Sequence, residues 1–155
     1  MQNKAYIIYI LVAFLISSAI AFITTAYMGF ATFTLLLLVI GLLYVKISKH
    51  IHANIMKIAI IGDLALVLVL ELQRSAIETA AGFNLEPLQI MHIIFSTLAM
   101  LLYFPTLYYG QKLLKSKKRD PKVFSKHMIV ARAAFLFRLL GFILMFSLLT
   151  HVKKA

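Results

Sequence analysis

Five long apolar segments divide this chain of 155 residues, and 63% of its residues are hydrophobic. Each segment is close to the ~20 residues that a helix needs to cross the hydrocarbon core of a bilayer. A soluble domain of this size cannot bury so much apolar surface. The sequence therefore predicts an all-α polytopic membrane protein, a bundle of five transmembrane helices in a single domain. The predicted helices cover about residues 5–26, 29–47, 54–77, 88–111 and 124–150 of the domain 1–155.

The formal net charge of +11 is carried mainly by the loops between these segments. The loops 46–52 and 112–126 are basic, whereas the loop 75–87 has two glutamates and no cation. Because basic loops face the cytoplasm, the pattern predicts a multi-pass membrane protein with a cytoplasmic N-terminus. The same rule explains the charge without a nucleic-acid partner, so the expected surrounding partner is membrane lipid. Because the chain has no cysteine, disulfides and thiolate metal sites are excluded.

A repeated pattern of ionisable residues links the third and fifth segments. Residues 52–64 and 127–139 each begin with a histidine, followed by a cation after five residues and another ionisable group after eleven. If both helices enter the membrane from the same side, the two imidazoles lie at one depth and can face each other. Facing imidazoles suit axial ligation of a haem or capture of a copper ion; alternatively, both are ordinary residues of a basic interface. The cations can pair with haem propionates or extend to lipid phosphates. The residues assigned to this cofactor site are His52, His127, Lys57 and Arg132.

The second ionisable group of each repeat lies roughly 16 Å deeper along its helix. These groups are Asp63 and Arg138, and ionisable residues at such depth are costly and usually functional. A buried Asp–Arg pair between the two helices would satisfy both side chains, as a structural contact or as part of a proton path. Asp63 also begins a polar stripe with Glu71, Arg74 and Glu78, whose spacing favours ion pairs at the outer end of the helix.

His92 begins the fourth segment on the side opposite to the histidine pair and is a further candidate metal ligand. A stripe of small and hydroxyl-bearing residues continues its face at helical spacing, where it can contact a ligand or pack against the third helix. No nucleophile triad, phosphate loop or paired-metal carboxylate motif is present, which favours a non-enzymatic role. The stripe consists of Ser96, Ala99, Tyr103 and Thr106.

Short motifs over residues 46–150 resemble a family of small five-helix bacterial membrane proteins that includes YozB and the cytochrome oxidase assembly factor CtaM. The resemblance implies a protein of the bacterial cytoplasmic (inner) membrane that assists maturation of haem-copper oxidases, with the handling of haem or copper as one way of doing so. The family has a histidine where this chain has Arg74, so the resemblance leaves an outer site built on His92 incomplete. The motifs that carry the resemblance are Lys49-His50-Ile51-His52, Arg74-Ser75, Met91-His92-Ile93, Ser125-Lys126-His127 and Ala131-Arg132.

Three functions follow from these residues. The first is an oxidase-assembly factor of the respiratory chain, with haem or copper between His52 and His127 and haem-copper oxidase subunits as partners. The second is a non-catalytic accessory subunit of a larger respiratory or transport complex, in which the ionisable residues form interhelical pairs. The third, a small proton-coupled carrier using Asp63, is disfavoured because no segment is broken at the membrane midplane.

Overall fold

The structure, a computed structural model, describes residues 5–74, 86–116, 118 and 120–152, with the helical backbone alone for 71–74 and 148–152. The described residues form five α-helices, each long and apolar enough to cross a membrane. The predicted all-α architecture is therefore confirmed. The helices are α1 (Ala5–Ile23), α2 (Ala26–Tyr44), α3 (Lys49–Arg74), α4 (Pro87–Lys115) and α5 (Pro121–Val152).

The helices extend beyond their apolar segments at several ends. α3 begins at Lys49, five residues before the predicted start, and α4 continues to Lys115. Lysine side chains can lie along an apolar surface while their ammonium groups remain in water, so polar residues continue these helices. Lys112 and Lys115 also occupy the last turn of α4, where a cation complements the helix dipole. His52 and His127 consequently lie within their helices rather than at the first residues.

Side-chain caps determine where α2 and α5 begin. The Thr25 hydroxyl accepts a hydrogen bond from the Met28 amide at 3.2 Å. Thr24 and Thr25 alone separate α1 from α2, so the two helices form a tight hairpin. At α5, the Asp120 carboxylate accepts a hydrogen bond from the Lys122 amide at 2.9 Å. These caps satisfy amides that have no acceptor within the helix.

The chain divides into two compact units, Met1–Val69 and Leu70–Ala155, called here the N-terminal and C-terminal units. In the N-terminal unit, α2 is the most buried helix. It packs antiparallel against α1 through small residues that allow close backbone approach. A Cβ atom added at Gly29 would overlap the Cβ of Ala21 and stand 2.8 Å from the Ser17 carbonyl oxygen. Gly29 is therefore required by the packing of this hairpin.

The other face of α2 packs antiparallel against α3. A Cβ at Gly62 of α3 would lie 3.0 Å from the Thr34 methyl group of α2, and one at Gly41 of α2 would lie 2.6 Å from the Met56 sulfur of α3. Ile60 and Thr34 are both 1% exposed. These contacts place the middle of α3 against Thr34, a polar residue of α2.

The C-terminal unit contains the antiparallel hairpin of α4 and α5. Phe95 of α4 stacks on Phe137 of α5 with ring centroids 5.9 Å apart. Ala99, Tyr103 and Thr106 are 1%, 3% and 6% exposed, so most of the predicted stripe on α4 is buried. The stripe is thus a packed helix face.

Candidate functional site: histidines and a carboxyl group inside the helices

His52 is bonded through one ring nitrogen to a backbone carbonyl on a neighbouring helix. Its Nδ1 lies 2.7 Å from the Gly41 carbonyl oxygen of α2. A carbonyl oxygen accepts only, so Nδ1 must donate, and in the neutral ring Nε2 then carries the lone pair. Metal-ligating histidines very often have this outer bond, because it fixes the ring orientation and tautomer. The bond to Gly41 therefore makes Nε2 the ring nitrogen that could bind a metal or haem iron.

His92 has the same arrangement in the C-terminal unit. Its Nδ1 lies 2.8 Å from the Gly141 carbonyl oxygen of α5, which again assigns Nδ1 as the donor. A Cβ added at Gly141 would lie 2.9 Å from the Ser96 hydroxyl, so Ser96 and His92 contact the same glycine from successive turns of α4. Their shared face agrees with the helical spacing in the sequence.

His127 also lies against a glycine. A Cβ at Gly110 of α4 would lie 3.3 Å from Cε1 and 3.7 Å from Nδ1 of His127. Each of these three half-buried histidines therefore packs on a glycine of another helix in its own unit. At Gly110, a larger residue would press on the His127 imidazole, whereas a Cβ at Gly41 or Gly141 would first meet Met56 or Ser96.

Asp63 is buried within the N-terminal unit, as its position in an apolar segment predicts. Its side chain is 4% exposed, and its Oδ1 accepts a hydrogen bond of 2.5 Å from the Thr34 hydroxyl of α2. A buried carboxyl group needs such donors, because an uncompensated charge in hydrocarbon is costly. The bond joins the middle of α2 to the middle of α3.

The cations of the repeat occupy different environments. Lys57 is half-buried on α3, whereas Arg132 is exposed on α5. The Arg138 guanidinium lies over the Phe142 ring, 5.8 Å from its centroid, which is a favourable cation–π distance. These positions allow Arg132 to meet lipid or water and keep Arg138 partly covered by its own helix.

The predicted pairing of His52 with His127, and of Asp63 with Arg138, stays a prediction. His52 and Asp63 belong to the N-terminal unit, whereas His127 and Arg138 belong to the C-terminal unit, and each is described within its own unit. The predicted ion-pair ladder lies outside the described side chains. Among the residues that the structure describes, no three His, Asp or Glu side chains are grouped to hold a metal ion. The side chains of the ladder are Glu71, Arg74 and Glu78.

Sequence reasoning missed the groups that hold these side chains. Thr34 is the described donor to Asp63, and Gly41 and Gly141 are the acceptors for two histidines. The available sequence signal for Thr34 was a threonine within an apolar helix. Backbone carbonyls are present at every residue, so no sequence signal identified the glycine acceptors.

The chain matched no protein-family model, no curated protein and no solved structure. The resemblance to the family of YozB and CtaM therefore rests on short motifs alone.

Proposed function

We propose that this chain is a non-enzymatic haem-holding protein of the bacterial inner membrane that assists maturation of a haem-copper oxidase. One observation carries the haem part: the Nδ1 atom of His52 donates to a backbone carbonyl, which leaves Nε2 available as a ligand. His127 is the proposed second ligand because the repeat gives it the matching place on its own helix. The oxidase is proposed from the resemblance to assembly factors.

Haem fits this donor set better than a copper ion does. A haem iron already has four porphyrin nitrogens and needs only two axial ligands, which histidines provide. A protein-bound copper ion takes more of its ligands from side chains, and the described residues contain no cluster of three suitable ones. When bound, the haem supplies an iron that can change redox state. His52 and His127 would hold it, and copper remains the alternative cofactor.

The cations next to the histidines support an anionic ligand. Lys57 follows His52 by about one and a half turns of α3, and Arg132 follows His127 by the same interval on α5. Haem propionates are carboxylates, for which ammonium and guanidinium groups are suitable donors. The basic loops favour a cytoplasmic N-terminus, which would place both histidines towards the cytoplasmic face.

The test is the absorption spectrum of the protein purified in mild detergent from cells with sufficient haem. We expect a Soret band that is lost or shifted in His52→Ala and in His127→Ala. Added imidazole should restore part of the band in His52→Ala, because it replaces the missing ligand without restoring the helix contact. The matched control is His50→Ala, which removes an exposed histidine two residues away.

An accessory subunit is the second candidate, and the same bonds favour it. His52, Asp63 and His92 all bond to neighbouring helices, as side chains that only stabilise a bundle would. A colourless, metal-free preparation would reject the haem proposal. Copurification of that preparation with a larger respiratory or transport complex would support the accessory role.

A further inference from the structure

A cavity of about 310 Å³ opens at the end of the N-terminal unit where α1 begins and α2 ends. Its volume lies at the lower end of the range of ~300–1,000 Å³ typical of small-molecule sites. Most of its wall is apolar, with tyrosine side chains as the polar component. The lining residues are Ala5, Tyr9, Leu43, Tyr44 and Ile47.

Two of the lining residues are tyrosines, and a third tyrosine, Tyr6, packs beside them. Tyr6 and Tyr9 of α1 both make edge-to-face contacts with Tyr44 of α2, with ring centroids 6.1 and 6.3 Å apart. Tyr44 is only 2% exposed, while Tyr9 is 50% exposed. Tyrosine is favoured at the level of lipid head groups because its ring is apolar and its hydroxyl is polar. This combination of rings and hydroxyls is typical of the level where a membrane-spanning helix meets lipid head groups.

The segment beside the cavity is cationic. The turn after α2 folds back on Tyr44, whose carbonyl oxygen accepts hydrogen bonds from Ile47 and Ser48 at 3.1 and 3.0 Å. This turn carries Lys46, and α3 then begins with Lys49; both lysines are exposed. The first acidic residue of the chain is Asp63, so no carboxylate of this segment opposes the lysines.

We propose that this cavity, which nothing in the haem proposal requires, binds one anionic phospholipid. Lys46 and Lys49 bind the phosphate group, the hydroxyl of Tyr9 donates to its oxygens, and the apolar wall contacts the start of an acyl chain. The charge selects an anionic lipid over a zwitterionic one, since each basic residue near the surface attracts such lipids by about 1 kcal/mol. The apolar wall of this open cavity distinguishes the site from basic residues on a flat surface.

The absence of tryptophan allows a direct test in the full chain. Tyr9→Trp places one fluorophore at the cavity, and Tyr108→Trp places the matched control near Lys112 and Lys115 at the basic end of α4. Each variant is reconstituted in phosphatidylcholine vesicles containing one quarter phosphatidylglycerol. Quenching of the tryptophan fluorescence is measured twice, once with brominated chains on the anionic lipid and once with brominated chains on phosphatidylcholine. The effect of probe depth cancels in the ratio of the two values. We expect the anionic lipid to be enriched at the cavity probe by about fivefold or more over bulk, and at least threefold more than at the control.

Two further variants, made in the Tyr9→Trp chain, separate the cavity from the charge. Lys46→Gln with Lys49→Gln should reduce the enrichment to the level of the control probe. Ala5→Leu should do the same with both lysines present, because it fills the cavity without changing charge. Equal enrichment at both probes, or no loss in Ala5→Leu, would overturn the proposal and leave surface charge as the explanation. Both variants carry their changes at exposed or half-exposed positions, and helix content measured by circular dichroism verifies their folding.

Discussion

The bond between Thr34 and Asp63 can be isolated by a single substitution with a close internal control. Thr34→Val keeps the shape of the side chain but removes the hydroxyl that donates to the buried Asp63 carboxyl group. Thr32→Val is the control, because Thr32 is also buried on α2 and its hydroxyl bonds to the Met28 carbonyl of its own helix at 2.7 Å. Both variants keep a β-branched side chain and lose one hydroxyl. The difference between their losses in the free energy of unfolding therefore reports the interhelical bond.

The expected difference is about 1.5 kcal/mol in the free energy of unfolding. Leaving a buried acceptor without its donor costs ~1–3 kcal/mol in proteins. Interhelical hydrogen bonds in membranes average lower, ~0.6 kcal/mol with a maximum near ~1.7, which keeps the estimate in the lower half of that range. For a chain of this size, such a loss corresponds to a fall in Tm of about 3–6 °C.

Reversible unfolding in mixed detergent micelles, followed by helical circular dichroism, measures this difference. The same pair of threonine variants is then made in an Asp63→Leu chain, which lacks the acceptor. There, Thr34→Val should cost no more than Thr32→Val, since the interhelical bond is already absent. Equal losses for the two threonines in the natural sequence would refute the reasoning and show that the Thr34 hydroxyl adds nothing beyond its own helix.

Three more outcomes are expected. If Asp63 and Arg138 pair, Asp63→Asn and Arg138→Met should each lower the free energy of unfolding by about 3–5 kcal/mol, because the other charge is left without its partner. The double variant should be less damaged than either single variant in a thermal melt, and additive losses would count against pairing. Gly29→Ala should destabilise the first hairpin by about 1–3 kcal/mol through overpacking. Adding Ala21→Gly should recover part of this loss, and a double-variant cycle measures the coupling between the two positions. The recovery should be incomplete because the Ser17 carbonyl remains close. Asp120→Ala should cost ~1 kcal/mol by removing the α5 cap, whereas Asp120→Asn should be nearly neutral in the same chemical unfolding measurement.

The five helices were predictable because hydrophobic length alone identifies membrane-spanning segments. Their ends were less predictable. α3 starts at Lys49 rather than near residue 54, because a lysine can continue a helix while its charge stays in water. α5 starts at Pro121 rather than near residue 124, because the Asp120 side chain caps it.

The candidate site was only partly readable from sequence. Asp63 attracts attention because ionisable residues are rare in apolar helices, and His52 because it begins the repeat. The structure buries the first and half-buries the second. Their acceptor and donor groups are a glycine carbonyl and a threonine hydroxyl, Gly41 and Thr34. Both residue types are common in membrane helices, where they mostly serve close packing, so composition does not distinguish a partner from an ordinary contact.

The two-residue turn at Thr24 and Thr25 has a consequence for how the protein is made. Two residues span at most about 7 Å, whereas each flanking helix of 19 residues is about 28 Å long. Once α1 has crossed the bilayer, α2 must therefore return at once, and the pair enters the membrane as one hairpin. The face of α2 that carries Gly29 is then covered by α1 from the moment of insertion, whereas Thr34, which faces α3, gains its partner only when α3 is in place.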